Sequence, residues 1–184
     1  MLNIIFKFIT QVAERMGKVK KVSLALMTVL LFLSGCIQIV SSKKQEAIVD
    51  FVNEEVGQIA AIEEEAKQHL QGVLGDQSAT DDDLYDVYVN NVIPLYKEAL
   101  EKGKKIEPAI DELNEPHEIL VSALESYLDA FETQVKAIEE NDDRLTEKAL
   151  LLEQEYVDLV DEYHKKMEEL AKEHSVDYEA NQNE

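Results

Sequence analysis

Apolar positions recur every three or four residues through most of this chain, the spacing of one face of an α-helix. The first such stripe is Ile48, Val52, Val56, Ile59, Ile62, Ala66, Leu70 and Val73, and it predicts a helix over about 43–73. Gly75-Asp76-Gln77-Ser78-Ala79 reads as a turn. A second helix is expected from Thr80 or Asp81, because Asp81, Asp82 and Asp83 stand where free N–H groups favour anions. Its stripe is Leu84, Val87, Tyr88, Asn91, Leu95, Ala99, Ile106, Ile110 and Leu113. Pro94 and Pro108 interrupt it, and an internal proline removes one hydrogen bond and crowds the preceding turn. A kink is therefore expected at Pro94, and a kink or break between Gly103 and Pro108.

Asn114-Glu115-Pro116 reads as a restart, with Asn114 as N-cap and Pro116 in the first turn. The third stripe is Leu120, Leu124, Tyr127, Leu128, Phe131, Val135 and Ile138. The last is the most regular: Leu145, Ala149, Leu152, Tyr156, Leu159, Tyr163, Met167 and Leu170. Between these two, Asn141-Asp142-Asp143 is either a turn or the polar face of one continuous helix. The expected fold is therefore all-α, an elongated antiparallel bundle of three or four long helices. The bundle domain is expected over 43–175, followed by a flexible acidic tail over 176–184.

The first 42 residues follow another pattern. Lys18, Lys20 and Lys21 precede an apolar run of 12 residues at 22–33, which ends in Leu33-Ser34-Gly35-Cys36. A membrane-crossing helix needs about 20 apolar residues. A basic stretch, a shorter apolar run and small residues before a cut are the anatomy of a secretory signal peptide. Leu33-Ser34-Gly35-Cys36 resembles the lipobox of bacterial lipoproteins. That resemblance implies cleavage between Gly35 and Cys36 and a diacylglyceryl thioether on the Cys36 sulfur. Residues 1–35 are then the signal peptide, with Met16 an alternative start, and 36–42 are the acylated cysteine and its tether. Two acyl chains suffice for stable anchoring, where one does not.

Composition narrows the picture. The part from Cys36 onward holds 13 basic and 38 acidic residues, a net charge of −25. Nucleic-acid binding needs a cationic surface that displaces counterions from phosphates, so it is excluded. Near an anionic envelope such a domain is repelled, and contact requires divalent cations or a cationic partner. The plain alternative is that the charge serves solubility. Cys36 is the only cysteine, so no intramolecular disulfide can form.

The search for chemistry returns little. Di-iron bundles place Glu-x-x-His on two helices. The residues three before His69, His117, His164 and His174 are Ala66, Asn114, Asp161 and Ala171, so the motif is absent and surface positions are expected. An EF-hand register begun at Asp76 puts Asp81 and Val87 where glycine and glutamate are required. Gly-rich phosphate loops and nucleophile elbows are missing too. No enzyme activity, metal or cofactor is expected beyond the lipid on Cys36. Tyr88, Tyr127, Tyr156 and Tyr163 lie on or beside the core stripes. Tyr85 and Tyr96 fall off the stripe and are the exposed candidates for partner or ligand contact, together with His117 beside Pro116.

Length, acidity and scarcity of glycine in the helical part resemble the small extracytoplasmic lipoproteins of low-GC Gram-positive bacteria, among them the cell-wall-binding helical lipoprotein family. The resemblance implies a protein on the outer face of the cell membrane, held by its lipid, that touches cell wall or another exported protein. The alternative is a ligand- or cation-binding lipoprotein with a site between helices near 94–116.

Overall fold

The computed structural model describes residues 43–179. The expected signal peptide, the lipobox with Cys36, the tether and residues 180–184 lie outside the described residues. Four helices and no strand are present among the described residues. Helix α1 spans 43–74 and contains a π-helical stretch at Phe51–Val56. Helix α2 spans 81–105, with a second π stretch at Tyr88–Val92. A 3₁₀ turn at Asp111–Leu113 leads into α3, Asn114–Glu140, and α4 covers Asp143–Glu173. None of these helices is long and apolar enough to cross a membrane, among the described residues.

Cross-helix contacts fix the directions. Lys104 pairs with Glu125 and Lys97 with Glu132, so α2 and α3 run antiparallel. Lys166 pairs with Glu115, and the Ser126 hydroxyl donates to the Leu152 carbonyl, so α3 and α4 do likewise. Gln45 near the start of α1 donates to the His174 carbonyl at the end of α4. Farther along the same two helices, Tyr156 meets Glu63. The Lys44–Glu112 ion pair ties the start of α1 to the 3₁₀ turn.

The helix ends follow local chemistry. Thr80 caps α2 with a reciprocal capping box: its side chain accepts from the Asp83 N–H, and the Asp83 carboxylate accepts from the Thr80 N–H. Asn141-Asp142 is a tight turn, which makes α3 and α4 two separate helices. Asn141 takes the left-handed conformation at φ 50°, and the Asp142 N–H reaches back to the Ala137 carbonyl. That is a Schellman ending. Asp142 then caps α4 by accepting from the Arg144 N–H. Asn114, expected to cap α3, is already helical; the 3₁₀ turn supplies helical geometry ahead of it and no side-chain cap forms.

The core joins all four helices and includes Phe51, Ile59, Leu113, Leu124, Tyr163 and Met167. The break between Gly103 and Pro108 is present: α2 stops at Lys105, and Ile106 turns to extended backbone. Residues at the start of the expected tail do not stand free. Val176 and Tyr178 pack against the core, and the Tyr178 hydroxyl lies 2.7 Å from His164 Nδ1.

Candidate functional site

Pro94 cannot give an N–H to the carbonyl four residues back, and its ring crowds that carbonyl. Helix α2 meets this constraint with the π turn at Tyr88–Val92, immediately ahead. A π turn holds one extra residue, which rotates everything after it by about 100° relative to an unbroken helix. The face that begins with Leu84, Val87 and Tyr88 therefore continues through the buried Val92, Ile93, Tyr96 and Ala99, with Asn91 and Leu95 half-buried on its flank. This corrects the expected stripe of α2. It also corrects Tyr96, which is 5% exposed and belongs to the core.

Tyr96 meets two other aromatic residues there, Tyr127 and Phe131. Its ring stands edge-on to Tyr127 of α3 at 5.0 Å between centroids, and Tyr127 stacks on Tyr156 of α4 at 4.1 Å. Phe131, one turn along α3, lies 4.4 Å from Tyr127, 5.1 Å from Tyr96 and 5.6 Å from Tyr88. Tyr88, Tyr127 and Tyr156 are buried, as their place on the stripes predicts, and burial raises the hydroxyl pKa of all four tyrosines.

Glu63 of α1 enters this cluster. It is 6% exposed. Its Oε1 accepts from the Tyr156 hydroxyl at a long 3.4 Å, and its buried Oε2 has no hydrogen-bond partner. Burial pushes its pKa up to about 8, against the opposing pull of the Tyr96 and Tyr156 hydroxyls. No ion pair of the described residues reaches it. A second acid, Glu153 of α4, is also raised by burial and acts on Tyr88 and Tyr127. The site can thus hold a proton and exchange hydrogen bonds with phenolic hydroxyls.

Glu63 was not singled out from the sequence. The signal was there: it stands four residues after Ile59 and three before Ala66, both on the stripe, but its apolar neighbour Ile62 fits the same spacing. In the structure Ile62 takes a half-buried flank and Glu63 the interior.

The three contact candidates do not converge. Tyr85 is half-buried, and its hydroxyl donates to Glu139 near the end of α3 at 2.9 Å. His117, in the first turn of α3, donates from Nε2 to the Gly103 carbonyl at 2.8 Å. Glu139 and His117 are separated by about 33 Å of helix. Tyr96 sits inside the core between them. Of the histidines, His69 is exposed, and His117, His164 and His174 are half-buried. Among the described residues, no group of three or more His, Cys, Asp or Glu is placed to hold a metal.

No family model, no curated protein and no solved structure matches this chain.

Proposed function

We propose that this chain is a lipid-anchored, extracytoplasmic helical bundle that works as a non-enzymatic interaction module of the cell envelope, with the cell wall as its partner. The observation that carries the reading is Leu33-Ser34-Gly35-Cys36, placed directly after 12 apolar residues and the Lys18, Lys20, Lys21 group. In this reading the signal peptidase cuts before Cys36, and a diacylglyceryl thioether holds the chain at the outer face of the membrane. The four described helices form the bundle beyond the tether. A net charge of −25 after Cys36 repels anionic lipid and anionic wall polymers alike. Divalent cations shared between the acidic helices and the wall then supply the contact, since exposed charges interact with a strength set by intervening ions.

The test has two stages. Cells expressing the full chain are fed a palmitate analogue: the wild type is labelled and shortened, and Cys36→Ala is unlabelled and retains its presequence. A labelled Cys36→Ala protein would overturn the anchor. The lipidated protein, solubilised in a non-ionic detergent, is then sedimented with purified sacculi in the presence and absence of millimolar Ca²⁺. Saturable binding that is lost without Ca²⁺ is expected. Absence of binding in both conditions would sink the cell-wall reading.

A further inference from the structure

Glu63 stands where all four helices meet. Tyr96 faces it from α2, Tyr127 from α3 and Tyr156 from α4. A half-buried acid, Glu153 of α4, faces Tyr88 and Tyr127. These neighbours are neutral phenols at ordinary pH, so none offers a positive charge. A carboxylate buried without a cation costs far more to desolvate than the neutral acid does. It would also draw its hydroxyl donors close, because O–H···O⁻ bonds run at about 2.5–2.7 Å. The Tyr156 contact is 3.4 Å, and the only other hydroxyl that acts on the carboxyl, that of Tyr96, makes no close hydrogen bond to Oε2. A neutral acid fits this arrangement: one oxygen carries the proton with the Tyr96 hydroxyl beside it as the available acceptor, and the other accepts weakly from Tyr156.

We infer that Glu63 is a protonated lock of the core, a neutral carboxylic acid held among tyrosines of three other helices, whose ionisation loosens α1 from that cluster. The direction of the pH effect follows from proton linkage. Glu63 has an ordinary pKa of 4.5 in the unfolded chain and a folded value raised to about 8. Between these values the folded protein keeps a proton that the unfolded chain has lost. Its stabilising share is fully present below the ordinary carboxyl range, is lost as pH rises through the interval, and changes no further above it. Within the interval the folding constant falls about tenfold per pH unit from this group alone.

The experiment uses the full chain in a non-ionic detergent. Infrared difference spectra of the wild type are expected to show the carbonyl band of a protonated carboxylic acid at neutral pH, bleaching as pH passes about 8. Glu63→Gln should abolish that band, and Glu153→Gln should keep it. Denaturant unfolding of wild type and Glu63→Gln is then compared across a pH series. The ratio of their folding constants should fall about tenfold per unit in the interval and level off above it. A wild type without the acid band at neutral pH overturns the inference, and so does a ratio that does not change with pH. The band of the wild type, and its survival in Glu153→Gln, decide the matter even if Glu63→Gln does not fold.

Discussion

Helices α3 and α4 and helices α1 and α2 build one core by different means. The first pair is unbroken over 27 and 31 residues and joined by a two-residue turn. Each member of the second pair carries a π stretch, and the loop from Gly75 to Thr80 separates them. In α3 and α4 the helical period alone keeps the apolar face inward. In α2 the face stays inward because the π turn absorbs one residue ahead of Pro94. The polar interior differs as well. The buried Ser126 of α3 gives its hydroxyl to the Leu152 carbonyl, whereas the buried Glu63 of α1 leaves Oε2 unpartnered. The regular pair has its own orphan, the buried Gln134 Oε1 of α3, but that amide is neutral at every pH, and the interrupted pair carries the group whose charge state matters.

The two pairs meet at Phe131, which touches the rings of Tyr88 and Tyr96 across the boundary. Phe131→Ala should have the largest effect, about 3–5 kcal/mol, the usual cost of removing a buried aromatic ring. Denaturant unfolding reads it. A loss below about 1 kcal/mol would mean that the aromatic cluster does not hold the two pairs together.

The same glycine substitution should have opposite signs at two places. A Cβ on Gly103 would lie 3.2 Å from Leu124 Cδ1 and 3.6 Å from Ile59 Cδ1. Leu124 and Ile59 are fully buried and cannot give way freely. Gly103→Ala is expected to cost about 1–3 kcal/mol, the range for overpacking. Gly72, near the end of α1, has nothing within 4 Å of that position. Gly72→Ala should stabilise by about 0.4–1 kcal/mol, through the lost freedom of the unfolded chain. Thermal melts of both variants against wild type settle the signs. A stabilised Gly103→Ala would show that the α1–α2–α3 junction is looser than its geometry states.

The same contrast explains what could be read in advance. On α4 the expected positions Ala149, Tyr156, Tyr163, Met167 and Leu170 are buried, with Leu152 and Leu159 flanking the core. A regular period leaves one solution for the inward face. On α2 the period is also regular as written, but the helix is not. Because the π turn is a backbone feature with no residue signature beyond the nearby proline, the sequence period points to Asn91 and Leu95 in place of Val92 and Tyr96. Glu63 was hidden by an opposite bias: a charged residue on a stripe is read as exposed whenever an apolar neighbour fits nearly as well. The tail beyond Ser175 illustrates a third limit. Val176 and Tyr178 are too few to form a pattern, yet the Schellman ending of α4, with Ser175 at φ 55°, turns them back onto the core.

Helix caps offer a smaller test of the two pairs. Thr80→Ala removes the cap that begins α2 after a loop and should cost about 1 kcal/mol. The counterpart on α3 and α4 is Asn141, whose left-handed backbone disfavours residues with a plain Cβ; Asn141→Ala should cost about 1–2 kcal/mol at most. Denaturation midpoints compare them. If Thr80→Ala leaves stability unchanged while Asn141→Ala does not, the start of α2 is held by packing of Leu84 and Val87 alone.

The smallest effects should come from the ion pairs that bridge the two halves. Lys97–Glu132 and Lys104–Glu125 span α2 and α3 at 2.9 and 2.6 Å, but their side chains are 37–56% exposed. Pairs of that kind contribute at most about 1 kcal/mol and weaken as salt screens them. Lys97→Ala and Lys104→Ala should each shift the unfolding midpoint slightly at low salt and not at all at high salt. In a chain with 38 acids after Cys36, each lysine also relieves repulsion among its neighbours, so part of the low-salt effect should survive removal of its partner glutamate. A double-mutant cycle separates the two contributions. A pairwise coupling that persists at high salt would make these contacts part of what joins the interrupted pair to the regular one; its disappearance leaves that role to the buried aromatic cluster and to the proton on Glu63.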